Sequence, residues 1–239
     1  MEEGHPSQTA EGAAIMRALH QTLDADPKIL DDPIAPQLVD AQSDFYRSRV
    51  ALLNRLPKAV GLRLKATFVM RSRYTEDCLA ECFAKGVRQY VILGAGLDTF
   101  AYRQPLWAGS LRLLEVDHPA TRQWKRDRLA AANITLPENL RQVPIDFEKT
   151  SLADGLSIGG LNRSAPAFFS MLGVTQYLSV DALDATLRFL LSLPPSSETV
   201  FSFVLPDQAL PPDEASLAQA FVAQFAAMGE PWLSRFVPE

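Results

Sequence analysis

Apolar side chains in the first third of the chain recur at helical spacing. Ile15, Leu19 and Leu23 share a face of a segment over 13–23. Leu38, Phe45, Val50, Leu52, Leu53 and Leu56 mark a second helical segment over about 37–56. Leu62, Leu64, Phe68, Val69, Leu79 and Phe83 mark a third over about 58–85. Residues 1–12 read as a loose polar leader, and Asp31-Asp32-Pro33-Ile34-Ala35-Pro36 reads as a turn-rich break. From residue 89 the period changes. Short, nearly continuous apolar runs at 89–93, 111–116, 140–145, 165–172 and 199–205 read as strands. Helical patterns at 119–132, 180–192 and 213–228 lie between and after them, the first with Pro119 in a first-turn position. Strands alternating with helices at this spacing predict an α/β fold, a doubly wound and mostly parallel sheet covered on both faces. The expected organisation is a helical N-terminal region, 1–85, and an α/β core, 86–239, in one compact unit.

Composition narrows the partners. The chain has 239 residues, 47% of them apolar and 21% charged, with a formal net charge of -5. An acidic chain offers no electrostatic footprint for a polyanion, so nucleic acid is not an expected partner. No apolar run reaches the roughly 18 residues of a membrane span. The N-terminal residues lack the basic start and apolar stretch of a signal peptide, so a cytoplasmic protein is expected. Cys78 and Cys82 stand four apart on one helix face without zinc-ligand partners, which reads as two small buried hydrophobes. No metal site is expected, and the sequence carries no signal for oligomeric state.

The chemistry concentrates after the first strand. Tyr90-Val91-Ile92-Leu93 runs into Gly94-Ala95-Gly96-Leu97-Asp98-Thr99. In open parallel sheets ligands bind outside the carboxyl ends of the strands, and glycines there let the backbone approach a ligand. A dinucleotide fingerprint would place Gly or Ala where Thr99 stands. Asp98 would repel a pyrophosphate but attract ammonium and sulfonium groups. The loop therefore favours S-adenosylmethionine, which carries both cations and no phosphate, over NAD or FAD. Asp117 lies 21 positions after Gly96, at the end of the second strand, where a ribose-diol acceptor belongs. A cap for the helix at Pro119 is the competing reading of Asp117. Asp146 and Phe147, after the third strand, are placed to accept from an adenine amino group and cover the ring; a turn-capping Asp is the alternative.

Together these segments resemble the leucine carboxyl methyltransferase family, and most closely its bacterial branch of S-adenosylmethionine-dependent methyltransferases. The resemblance rests on Val91 through Arg103, on Glu115-Val116-Asp117-His118-Pro119 and on Val143-Pro144-Ile145-Asp146-Phe147. It extends upstream to Asp31-Asp32-Pro33-Ile34-Ala35 and Met70-Arg71-Ser72-Arg73-Tyr74. It implies a class I, Rossmann-like methyltransferase sheet with an N-terminal helical addition. By position it implies that Gly94 and Gly96 meet the methionine part, that Asp117 holds the ribose and that Asp146 and Phe147 frame the adenine; Ala95 and Asp98 of the same loop complete the expected cofactor-binding set. It also implies an arginine for the cofactor carboxylate, with Arg71 first and Arg73 in reserve.

Two departures stand out. Leu172 occupies a position before Gly173-Val174-Thr175-Gln176-Tyr177-Leu178 where many relatives carry Glu, which removes one argument for carboxyl methylation. Relatives also continue into a further helix and two antiparallel strands, which this chain is not expected to contain; its fifth strand would then be an edge. Gln176 and Tyr177, with Arg73, are the candidate acceptor contacts, core packing being the other reading of Tyr177. No catalytic base is identified among His5, His20 and His118. The reading is methyl transfer to oxygen on a small molecule; a cofactor-binding relative without turnover and an NAD-dependent oxidoreductase are the alternatives.

Overall fold

The computed structural model describes residues 7–146 and 150–237. Four helices come first: α1 (Gln8–Leu23), α2 (Ala35–Leu38), α3 (Asp44–Arg55) and α4 (Lys58–Ala84). The α/β part follows as β1 (Gln89–Leu93), β2 (Arg112–Asp117), α5 (Pro119–Ala131), β3 (Leu140–Pro144), α6 (Leu152–Gly159), β4 (Phe168–Met171), α7 (Val180–Leu191), β5 (Glu198–Phe201) and α8 (Pro212–Ala227). The five strands form one sheet in the order β3-β2-β1-β4-β5, and every pairing is parallel. The order reverses between β1 and β4, so the switch point lies at the carboxyl end of β1. β5 pairs with β4 alone and forms an edge.

Strand alternation sorts the core into two faces. Val91 and Leu93 join Leu114, Val116, Val143 and Phe169 on one side, under α6 and α7. Tyr90 and Ile92 join Leu113 and Phe168 on the other, against Leu79 and Cys82 of α4. Cys82 is buried in that second layer and Cys78 is packed against it.

Three elements differ from the sequence reading. The expected leader becomes helix from Gln8, because Ser7 accepts from the Ala10 amide and the Glu230 carboxylate accepts from the amides of Gln8 and Thr9 at 2.7 and 3.2 Å. The expected helix over 37–56 is broken, since Asp40 accepts from the Gln42 amide and Ser43 caps α3 by accepting from Tyr46. Helix α6 was not expected. Its Gly155 and Gly159 lie so close to β3 that a Cβ would meet Ile145 Cδ1 at 2.1 Å and Val143 Cγ2 at 2.7 Å.

A buried ionic cluster ties the N-terminal helices to the loop after β1. Asp32 is 0% exposed. It accepts from Arg17 Nε at 3.1 Å, Thr99 Oγ1 at 2.7 Å and the Ala35 amide at 3.0 Å, with Arg103 Nε at 3.3 Å. Burial alone would raise its pKa, but Arg17, Arg103 and the hydrogen bonds from Thr99 and Ala35 hold it below the usual carboxylate value. Arg17 also donates to the Leu97 carbonyl at 2.7 Å, fixing the loop itself. No described helix is long and apolar enough to cross a membrane.

Candidate active site

At the carboxyl end of β1 the chain turns through Gly94 and Gly96 with φ of +66° and +47°. A side chain at Gly94 would collide with Val174 Cγ2 at 2.3 Å, and one at Gly96 would meet Ala10 of α1 at 2.9 Å. Both positions thus need glycine for conformation and for space. The amides of Gly94 and Ala95 donate to the Val116 carbonyl at 2.8 and 3.0 Å, folding the loop against β2.

Asp117 ends β2 beside that loop. Its two oxygens accept from the Gly96 amide at 2.5 Å and the His118 amide at 2.7 Å. Burial pushes its pKa up to about 6, opposed by those two amides. Asp117 does not cap α5. His118 does, its Nδ1 accepting from the Ala120 amide at 3.3 Å. Asp98 accepts from the Phe100 amide at 2.9 Å, shaping the short turn Phe100–Tyr102. Asp146 follows β3, with His118 Nε2 at 3.9 Å. Phe147 lies outside the described residues. Glu115, which shares a strand face with Asp117, is turned to a structural use: it pairs with Lys125 Nζ at 2.7 Å and accepts from Tyr102 Oη at 3.0 Å.

These groups open onto one cavity of about 700 Å³, within the range that encloses a small ligand. Its floor holds Gly94, Gly96, Asp98, Asp117 and Asp146. Helices α1, α3, α4 and α8, the segments after β4 and β5, and residues 230–233 supply most of the rest of the wall.

Arg71 reaches the cavity from α4. Its guanidinium lies over the Phe68 ring at 4.6 Å, and a Cβ at Gly173 would stand 3.0 Å from its Nη1. The Nε is buried without a hydrogen-bond partner, and among the described residues no carboxylate pairs with Arg71. Burial lowers its pKa to about 10, with Arg17 adding to the effect, so it stays charged at neutral pH. Arg73 behaves differently: it is exposed on the outer face of α4, bound to Asp77 at 2.9 Å, and does not line the cavity. Gln176 and Tyr177 do line it. Gln176 is buried with Oε1 unpaired, while Tyr177 Oη accepts from Trp232 Nε1 at 3.3 Å and burial raises its pKa. Leu172 also lines the cavity.

The family model described as leucine carboxyl methyltransferase matches residues 10–191, which include most of α1, the glycine loop, Asp117 and Asp146. The chain belongs to the leucine carboxyl methyltransferase family. Methyl transfer from S-adenosylmethionine is the chemistry of that family, and membership sets the oxidoreductase alternative aside. Among relatives, the methyltransferase is 34% identical to the "Putative S-adenosyl-L-methionine-dependent methyltransferase YktD" of Bacillus subtilis, over 99% of this chain and 83% of that one. A protein of similar name from Mycobacterium avium is 28% identical over 85% of this chain and 67% of its own. The fold matches a DUF574 family protein from Streptomyces avermitilis with a TM-score of 0.59 at 19% identity, covering 98% of this chain and 80% of the other.

Arg17, Arg49, Ala10, Glu230 and Trp232 also line the cavity and carried no signal in the sequence. Each reaches the cavity by packing between distant segments, and no spacing rule connects them.

Proposed function

We propose that this methyltransferase carries the sulfonium methyl group of S-adenosylmethionine to an oxygen of a small molecule enclosed in the cavity. The observation that carries the cofactor part is the Arg71 guanidinium, half-buried with its Nε fully buried and without a hydrogen-bond partner, in the same cavity as the glycine loop and Asp117. A buried cation without a counter-charge is costly unless a ligand supplies one, and the cofactor's carboxylate is such a group. Asp117 retains lone pairs beyond those used by the two amides and can accept from the ribose hydroxyls. Asp146 stands where the adenine would lie, and Asp98 faces the cofactor's cations.

Bound S-adenosylmethionine supplies an activated methyl group and a good leaving group. The chain must orient the acceptor and keep water out. The enclosing helices and the modest volume support a small acceptor. An acceptor oxygen that is already ionised at neutral pH, as in a carboxylate, needs no base. Of the two described histidines, His20 is packed against Asp24 at 2.6 Å and does not line the cavity, while His118 does line it but commits Nδ1 to the α5 cap.

The test is calorimetric titration with S-adenosylmethionine and S-adenosylhomocysteine, followed by labelled-methyl transfer to a panel of small carboxylic acids, phenols and alcohols. Micromolar cofactor binding with transfer to oxygen is expected. Binding without transfer to any acceptor class would favour the turnover-free relative. Arg71→Met is expected to weaken S-adenosylhomocysteine binding roughly tenfold to a hundredfold, the value of a charged hydrogen bond. The same change should leave the thermal midpoint level or raise it, because it removes an uncompensated buried charge. Unchanged affinity would remove Arg71 from the cofactor site.

A further inference from the structure

The cavity holds a second arginine in the same condition as the first. Arg49 of α3 is 6% exposed and lines the cavity wall. Its Nε is buried with no partner. Its other nitrogens reach only neutral atoms at the margin of contact, Gln224 Oε1 at 3.4 Å and Met228 Sδ at 3.5 Å. The rings of Phe45 and Phe225 lie 4.8 and 5.8 Å from its guanidinium carbon. Among the described residues no carboxylate comes within ion-pairing distance of it. Glu230 raises its pKa from a distance, but that carboxylate is already bonded to the amides of Gln8 and Thr9 and to Ser7 Oγ. Burial lowers the Arg49 pKa, as expected of a cation taken out of water.

Direct pairing then leaves Arg49 over. S-adenosylmethionine brings one carboxylate, and Arg71 takes it. A second unpaired guanidinium in the same cavity calls for a second anion, and the cofactor has none to offer. The wall around Arg49 says what else that anion's carrier must be. Phe221, Phe225 and Trp232 form a run of stacked rings, with centroids 6.2 and 5.5 Å apart. Leu52 and Leu53 of α3 continue the apolar lining.

We propose that Arg49 anchors an anionic group on the methyl acceptor, and that the acceptor is accordingly a flat or apolar organic anion. This rests on the methyltransferase reading above and names the substrate class of that same cavity. Arg49 selects by charge, and the ring stack binds the apolar body. A guanidinium between rings suits a planar oxyanion better than an ammonium would, because it presents paired donors in one plane.

The probes are naphthalene-2-carboxylate and its neutral counterpart naphthalene-2-carboxamide, titrated into the 239-residue protein saturated with S-adenosylhomocysteine. The native protein is expected to bind the carboxylate at least tenfold more tightly than the amide. Arg49→Met is expected to lose that preference while binding the amide and S-adenosylhomocysteine within about twofold of native, and Arg49→Lys to keep part of it. Equal affinity for the two probes, no measurable binding of either, or a preference that survives in Arg49→Met overturns the proposal. If native protein fails to bind S-adenosylhomocysteine, the cofactor reading falls. The probe titrations then run without it, and an Arg49-dependent carboxylate preference still upholds the anion anchor.

Discussion

Asp117→Ala is expected to weaken S-adenosylhomocysteine binding by about a hundredfold or more. The carboxylate stands at the carboxyl end of β2, its oxygens already oriented by the amides of Gly96 and His118. It would accept two hydrogen bonds from a ribose diol, and hydrogen bonds to a charged group contribute about 1.5–3 kcal/mol each. Removal also frees the Gly96 amide, so the loop loses a constraint as well as a ligand contact. Titration calorimetry on both proteins decides it, and a loss under about fivefold would mean that the ribose is held elsewhere. The pH dependence gives an independent reading. Burial raises the Asp117 pKa to about 6 in the free protein. Ligand bonding favours the ionised form, so affinity should be level above pH 6 and fall as pH drops through 6, by up to tenfold per unit. That slope should be absent in Asp117→Ala.

Asp32→Ala carries the largest expected cost in stability. It leaves Arg17 buried with no counter-charge, while Arg103 keeps Glu76 at 2.5 Å. Breaking a buried ion pair on one side costs about 3–5 kcal/mol, which for a chain of this size lowers the thermal midpoint by roughly 10 °C. Calorimetric melting of the two proteins tests it; a change under about 2 °C would show that the cluster is not structural. The pKa of Asp32 is held below the usual carboxylate value. Its contribution is therefore present above the unfolded-chain value of about 4 and is lost as pH falls through the lower folded value. The gap between native and variant should stay constant at neutral pH and close only in acid.

Much of the α/β part was legible because its signals are local. The runs at 89–93 and 111–116 stop at glycine and at an acid, and the structure puts β1 and β2 there within a residue. That Asp117 and Asp146 would share one edge was legible because strand ends, once located, place their side chains there, and both line the cavity. Helix α6 was not legible. Gly155, Gly159 and Gly160 look like loop punctuation until β3 is seen pressed against them, and only Gly160 has the left-handed backbone of a helix end. The start of α1 was missed for a similar reason, since Glu230 caps it from 220 or more residues away. Arg71 required the family resemblance, because a cation on an amphipathic helix is usually a solvated one. Arg73, two positions on, is of that solvated kind. Arg49 gave no signal at all: its isolation depends on α8 folding over it.

The way α1 packs on the glycine loop and α4 on the turn at Gly173 bears on how this protein could be re-engineered. Chimeras that exchange the N-terminal helices between relatives, as a cassette for changing acceptor preference, would carry Ala10, Arg17 and Arg71 with them. Ala10 sits against Gly96, Arg17 holds the Leu97 carbonyl and Arg71 lies beside Gly173. A graft joined at residue 86 would thus transplant contacts that shape the glycine loop and the turn at Gly173 together with the helical wall of the cavity. Swaps confined to α3 and α8, which meet at Arg49, would leave those three contacts with the sheet in place.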